Sequence, residues 1–524
     1  MKYSVLTAFV LGTTGLLLAS GGSDSVDSTD LIFNDAEVHQ YRLTYYIPNW
    51  IDTMEYNKED NGEAYMPARF CYKAPGGDSI VLDSIGVRYK GNSSYTLAKQ
   101  NAKKSFKLAF DEYKKQSFFS CKKLNLNNCI EDPSYMREKI GYDIIRHYMA
   151  TPRVAYAVLY VNDTMIGVFA QVEQVDKNFL QRNFAKSGGT LFKAGDNGAA
   201  LDYKGPNKVS YESIYEIKEN KGDEDAWNHL ITMIYKLNDT LSGVDKIVEK
   251  TSPHLNFTNA IAHLTWTIVL SHFDSYTGTG RNYYLYDDPL SGQFVIIPWD
   301  VNMAFGQLPY QWNVITNSAF NIANLDVRPL NKRIIDDPVL KNLYIACIRE
   351  MISGPASAEN VAKEADRIKA IIDPWVKLEP DANRFYPYDD FVKNIDEDLV
   401  IPDGFNEIRI PGIKSFSAAR NAELIRQCEA GVAYHPDMNA RATAKALHGV
   451  VDARASAIDV DFSLQGAGKS LSLFDGNGRV VKRRTLGTAS GNVTLDMAAM
   501  PAGIYILSLT NGTTTLSDRV VFAR

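Results

Sequence analysis

Cysteine and histidine are scarce in this chain, with five and eight copies among 524 residues. The thiols at Cys71, Cys121, Cys129, Cys347 and Cys428 are odd in number, so no complete disulfide framework is implied. Cys121 and Cys129 are the nearest candidates for a bond, although a buried free thiol is the commoner state for isolated cysteines. The histidines, His263 and His272 among them, form no HExxH pattern, and no CxxC accompanies them, which argues against a zinc enzyme. Neither sign of charge dominates: 56 Lys and Arg face 62 Asp and Glu, for a net charge of -6. That balance offers no basic field for nucleic acid and no patch for a membrane surface. Long apolar runs are absent beyond the first 20 residues, so no later segment is long enough to span a bilayer.

What is present begins with an export signal. Lys2 precedes the apolar run from Val5 to Ala19 and the small residues Ser20, Gly21, Gly22 and Ser23, the layout of a secretory signal peptide over residues 1–21. About 15 apolar residues fall short of the roughly 20 needed to cross a membrane. Gly21 stands where a lipoprotein would need cysteine. Residues 22–37 are small, polar and acidic, and read as a linker.

Hydrophobic content of 45% leaves room for two folded units. Strand-like stretches YRLTYYI and SIVLDSIGVRYKG open the first. In PSYMREKIGYDIIRHYM, Met136, Ile140, Ile144 and Tyr148 recur at helical spacing, with Asp132-Pro133-Ser134 as a start signal. Strands AYAVLYV and IGVFAQVEQV follow, joined at Asn162-Asp163. Later segments, including AWNHLITMIYKLNDTL, FTNAIAHLTWTIVLSHF and SAARNAELIRQCEAGVAY, are helical, while NYYLYDD and FVIIPWD form a hairpin around Pro289 to Gly292. From Ile458 short alternating strands separated by Asn-Gly turns predict a small all-β sandwich over 458–524.

Two segments could carry chemistry. In SHFDSYTGTGRNYYLYDDPLSGQFVIIPWDVNMAFG, Asp274 ends an apolar helix, and the hairpin brings Asn282 and Asp300 toward one end. Two carboxylates and a carboxamide suit Mg²⁺ shared with phosphate oxygens; the alternative is that the two aspartates cap turns. In GVRYKGNSSYTLAKQNAKKSFKLAF, a Gly-Asn-Ser-Ser turn lies beside a second strand carrying Lys103, Lys104 and Lys107, a combination of backbone donors and cations that can hold phosphate. Alternation sets Lys104 with Phe106, Leu108 and Phe110 on the apolar face, where burial demands an anionic partner, so Lys104 is preferred over Lys103 and Lys107.

GVRYKGNSSY, KKSFKLAF, YVNDTMIGVFAQVEQVDKNFL, NYYLYDD and IIPWDVNMAFG, in this order, resemble the CotH family. The resemblance implies an α+β chain whose body, over 38–457, is a divergent protein-kinase-like fold that binds ATP and Mg²⁺, followed by the Ig-like sandwich. It implies that the helix at Arg137 and Glu138 is the regulatory helix of kinases. By the same resemblance Asp274 is the catalytic aspartate, with Lys104 holding phosphates, and Asn282 and Asp300 are the Mg²⁺ ligands. Arg88, Lys90, Lys104 and Glu173 bind the nucleotide, Glu173 near the adenine. Departures are the missing G-x-G-x-x-G loop before the lysines, the lack of His-Arg-Asp order and spacing in HFDSYTGTGRN, and Asn302 where many relatives carry a second acid.

SLSLFDGNGRVVKRRTL, MPAGIYILSLTNG and DRVVFAR resemble the C-terminal sorting domain of the bacterial type IX secretion system. That implies the secretion machinery as a partner and a secreted or cell-surface location. Two functions compete: phosphoryl transfer from ATP to hydroxyls of a surface or secreted protein, or a non-catalytic structural or adhesion role on the same scaffold.

Overall fold

The computed structural model describes residues 28–432 apart from 74–78, 196–197, 240–243, 309–312, 323 and 404–405, and beyond them 447–452, 457–463, 469–474, 480–487, 490–497, 500, 503–510 and 515–522. The expected signal peptide, the first part of the linker and the Asn-Gly turns of the tail lie outside the described residues.

Alternating apolar residues build a first lobe from β1 (Val38–Tyr45), β2 (Met66–Lys73), β3 (Ser79–Tyr89), β4 (Phe106–Ala109), β5 (Lys123–Asn127), β6 (Val154–Val161) and β7 (Thr164–Glu173). They close into a barrel in the order β1-β2-β3-β4-β5-β7-β6. The seam is a parallel pairing of β1 with β6, from Val38↔Tyr156 to Leu43↔Val161. Closure removes free edges, and period-two alternation turns Tyr41, Phe70, Val87, Leu108, Leu126 and Phe169 inward as one core. Asn162 and Asp163, at φ 44° and 65°, give the β6–β7 hairpin its left-handed two-residue turn. Helices α1 (Trp50–Glu59), α2 (Ser93–Leu97) and α3 (Arg137–Ile145) belong to this lobe. Helix α3 begins after Met136, whose side chain does not cap it, and Asp132 reaches the helix's first residue from four positions before Met136: its carboxylate accepts from the Arg137 backbone N–H at 2.8 Å and from the Arg137 guanidinium at 2.6 Å.

The segment holding the three lysines differs from expectation. Its strand starts only at Phe106, because the Asn101 side chain accepts from the Lys103 N–H at 2.7 Å and the Lys104 N–H turns back to Ala102 at 3.0 Å. Lys103 and Lys104 therefore precede β4. All five cysteines are free thiols.

The second lobe holds α4 (Lys177–Asn183), β8 (Leu191–Ala194), β9 (Tyr215–Glu219), α5 (Ala226–Leu237), α6 (Val244–Thr251), α7 (Phe257–Val269), β10 (Tyr283–Asp288) and β11 (Gln293–Pro298). Helices α8 (Pro329–Asp336), α9 (Pro338–Ser353), α10 (Ala358–Leu378), α11 (Tyr388–Asp396) and α12 (Ile413–Val432) complete it, with a hairpin of β12 (Leu399–Asp403) and β13 (Asn406–Ile410). Its sheet runs β11-β10-β8-β9, and the expected hairpin is β10–β11, in register from Tyr283↔Pro298 to Asp288↔Gln293.

The lobes meet through residues that follow α10. Glu379 reaches the barrel, accepting from Lys103 Nζ at 2.7 Å and from the Val168 N–H at 3.0 Å. A Cβ at Gly167 would lie 2.8 Å from the Glu379 carboxyl carbon, so only glycine admits this approach. Asn383 adds a bond to the Ile166 carbonyl at 2.9 Å.

In the tail, β14 (Leu447–Asp452), β15 (Ala457–Ser463) and β18 (Ser490–Asp496) form one antiparallel sheet; β16 (Lys469–Phe474), β17 (Val480–Leu486), β19 (Gly503–Thr510) and β20 (Thr515–Phe522) form another. Ile458, Val460, Leu471, Leu473, Leu495 and Leu507 join the two in one apolar core. Among the described residues, no helix is long and apolar enough to cross a membrane.

Candidate functional site

The apolar helix α7 ends at Val269, and the loop after it folds around Asp274. Asp274 Oδ1 accepts from Thr279 Oγ1 and from Arg281 Nε, each at 2.9 Å, and its carbonyl accepts from Asn282 Nδ2 at 2.8 Å. The loop is tight, since a Cβ at Gly278 would lie 2.0 Å from the Phe273 carbonyl oxygen. Asn282 and Asp300 flank the β10–β11 ladder at the same end, tied by the Trp299 N–H donating to the Asn282 carbonyl at 3.1 Å. Both take left-handed backbone, at φ 61° and 56°, a conformation costly for residues with a side chain and concentrated at functional sites. The hairpin thus brings Asp274, Asn282 and Asp300 together.

The barrel contributes the opposing wall. Lys90, at the end of β3, donates to Asn127 Oδ1 at 2.6 Å, and Asn127 Nδ2 donates to both carboxylate oxygens of Glu138 on α3, at 3.0 and 2.8 Å. Lys90 Nζ also stands 5.7 Å from the centre of the Trp299 ring, next to Asp300. Burial, with the Asp300 charge second, pushes the Glu138 carboxyl up to about 7. Burial raises the Asp300 carboxyl too, against the pull of Lys90, and lowers the Lys90 ammonium against the pull of Asp300 and Glu138. These shifts mark charges that need one another.

Further cations face the same space. Lys107 lies opposite Arg88 in the β3–β4 ladder and donates to Gln174 at 2.7 Å. Burial and the charges of Arg88, Lys90, Lys123 and Lys193 press the Lys107 ammonium well below its ordinary range. Arg88 itself contacts Glu63. Lys193 arrives from β8, paired with Tyr284 of β10. A concentration of positive charge beside two aspartates is suited to a polyanion carried with a divalent cation.

Two residues expected at the site stand elsewhere. Lys104 is buried as predicted, but its anion is Glu55 of α1 at 3.0 Å, and its ammonium lies over the rings of Tyr89 and Tyr95. Glu173 ends β7 with its carboxylate engaged by Arg153 at 2.7 Å and by Arg182. Asn127, Arg281, Thr279 and Lys193 were not expected here. Asn127 and Lys193 are revealed only by the β5–α3 and β8–β10 neighbourhoods, whereas Thr279 and Arg281 lie in the same loop as Asp274, five and seven residues after it. Asp35, Asp143 and Glu364 form a separate acidic group, neutralised by Lys139 at 2.6 Å from Asp35 and Arg367 at 2.9 Å.

Residues 87–398, from the end of β3 through the later barrel strands and the β10–β11 hairpin to the start of the β12–β13 hairpin, match the family model described as CotH kinase protein, and the chain belongs to that family. Inner spore coat protein H of Bacillus subtilis (strain 168) is 24% identical over 301 residues, 56% of this chain and 78% of that protein. Residues 455–523 match the secretion system C-terminal sorting domain, which indicates a secreted or cell-surface protein. Both resemblances read from the sequence are thereby upheld.

Proposed function

We propose that this chain is an exported kinase-like enzyme that transfers the γ-phosphoryl group of ATP to a hydroxyl of a surface or secreted protein, after delivery through the type IX machinery engaged by an Ig-like tail. The carrying observation is the convergence of Lys90, Asn127 and Glu138 from the barrel on Asp274, Asn282 and Asp300 from the second lobe. A lysine set beside a helix glutamate is the arrangement by which protein kinases order ATP phosphates, and the Asn127 bridge supports the same role for Lys90, the residue just after β3.

The donor set fits Mg²⁺. Among the described residues the Asp300 carboxylate has no side-chain hydrogen-bond partner, and Asn282 gives its N–H to Asp274, leaving its carbonyl oxygen as a donor atom. Bound there, the ion would supply charge neutralisation to phosphate oxygens. Lys90, Lys107 and Lys193 then hold the remaining phosphate charge. Asp274, with Oδ1 fixed by Thr279 and Arg281, presents Oδ2 to the acceptor. As the acceptor oxygen bonds to the γ-phosphorus, the bond to the β,γ-bridging oxygen breaks, ADP leaves, and the acceptor proton passes to Asp274.

Calorimetric titration with ATP and Mg²⁺ tests this. Heat is expected for the wild type and absent for Asp300→Asn, whose melting temperature should barely change; Asp274→Asn should bind and fail to transfer. No heat at millimolar ATP would favour the second reading, a non-catalytic surface protein, which the sorting domain supports equally.

A further inference from the structure

Among the described residues, the sheet that carries β10 ends in an open edge: β9 pairs with β8 on one side only. Beside β9 runs a groove of about 780 Å³, lined by Ile217 of β9, Trp227, Asn228 and Ile231 of α5, and Pro206 and Lys208. Trp227 fixes the helix over the sheet, standing edge-on to Phe192 of β8 with ring centres 5.2 Å apart. Trp227 and Ile231 are one helical turn apart, and Tyr235 extends their row to an exposed ring pair with Tyr203 at 5.1 Å.

A groove lined by both an edge strand and a helix recognises one chemistry above others. The edge offers N–H and C=O groups at the repeat of an extended polypeptide, and the helix side receives alternate side chains. A lipid or an isolated apolar ligand would leave those backbone groups unmatched. The charged pair of Lys218 and Glu216, 2.5 Å apart on the strand, is the usual guard against indiscriminate edge pairing.

The groove is coupled to the site described above. Glu216 lies opposite Lys193, which lies opposite Tyr284, two residues past Asn282. The chain leading to Pro206 and Lys208 is held beside that site, with Tyr283 Oη of β10 donating to the Ala199 carbonyl at 2.6 Å and Tyr276 Oη of the loop after Asp274 to the Ala200 carbonyl at 3.0 Å. A strand added to β9 would stand three strand spacings from β10, about 14 Å, a distance that four or five extended residues cover. We propose that the β9 edge and the β9–α5 groove bind the protein acceptor as an added strand, with bulky apolar side chains at alternate positions seated on Ile217, Trp227 and Ile231. The acceptor role rests on the phosphoryl-transfer reading; the binding does not.

Arrayed dodecapeptides, each with one Ser and with Leu, Phe, Ala or Asp at alternate flanking positions, probed with the full chain in the absence of nucleotide, test the proposal. Leu and Phe peptides should be retained over Ala and Asp peptides. The tightest should weaken at least tenfold when alternate amides are N-methylated, and at least tenfold against Asn228→Trp, which fills the groove from an exposed helix position; Asn228→Arg is a second blocking change. Peptides retained without apolar preference, unaffected by N-methylation, or unaffected by either folded Asn228 variant would overturn it, as would no retention at all. Because nucleotide is absent, peptide binding without ATP binding would refute only the enzyme reading, and ATP binding without peptide binding only this one.

Discussion

Lys103 and Glu379 form an ion pair 2.7 Å apart with both side chains wholly removed from solvent, one at the mouth of the barrel and the other just beyond the end of α10. Tyr135 closes the cage, its ring 4.5 Å from the Lys103 ammonium. Removing one partner strands a buried charge, so Glu379→Ala should destabilise the body by about 3–5 kcal/mol in denaturant unfolding. The double change Lys103→Met with Glu379→Leu should recover most of that loss. Equal losses in the single and double variants would show that packing, rather than the stranded charge, sets the cost.

Lys90 and Lys104 should part company in nucleotide binding. Lys90→Met removes the cation bridged to Glu138 and facing Asp300, and is expected to weaken ATP affinity at least tenfold. Lys104→Met removes a cation held by Glu55 and two tyrosine rings, so it should lower the melting temperature and leave ATP affinity within about twofold. Calorimetry beside thermal unfolding separates the two.

His263 lies buried on α7, its ring 5.8 Å from Trp266, and burial together with the nearby His272 lowers it to about 3. Between 6.5 and 3 the unfolded chain binds the extra proton, so the stability tied to neutral His263 is complete above about pH 6.5 and is lost as pH falls. At pH 5 that loss is about 2 kcal/mol. His263→Phe should therefore show a shallower decline in stability from pH 7 to 5 than the wild type, and parallel curves would assign the acid sensitivity elsewhere.

Deleting residues 455–524 should leave the body folded and its export incomplete, with the product retained in the periplasm. The tail has its own apolar core, and the sorting domain spans 455–523. Fractionation and surface labelling read the outcome. Normal surface delivery of the truncated chain would remove the sorting role.

Local order is what the sequence by itself determined. The Pro289 to Gly292 turn and the apolar runs around it specify the β10–β11 hairpin, Asn162-Asp163 suits a left-handed turn, and Asp132 accepts from the first N–H of α3, because each depends on neighbours a few residues away. The hairpin alone carried Asn282 and Asp300 to one end. Only the tertiary structure decided how those groups are opposed. Barrel closure joins residues 38–43 to 156–161 in a parallel seam with no local signal. Alternation set Lys104 on a strand's apolar face, but Lys104 precedes β4 and Lys103 beside it is buried as well. Nor could alternation say which lysine would meet acids some 200 residues later: Lys104 found Glu55, and Lys90 came under the charge of Asp300. The Lys103–Glu379 pair, 276 residues apart, shows the same limit. A buried charge requires a partner, but which partner it meets follows from the packing of distant elements, not from its own neighbours in the chain.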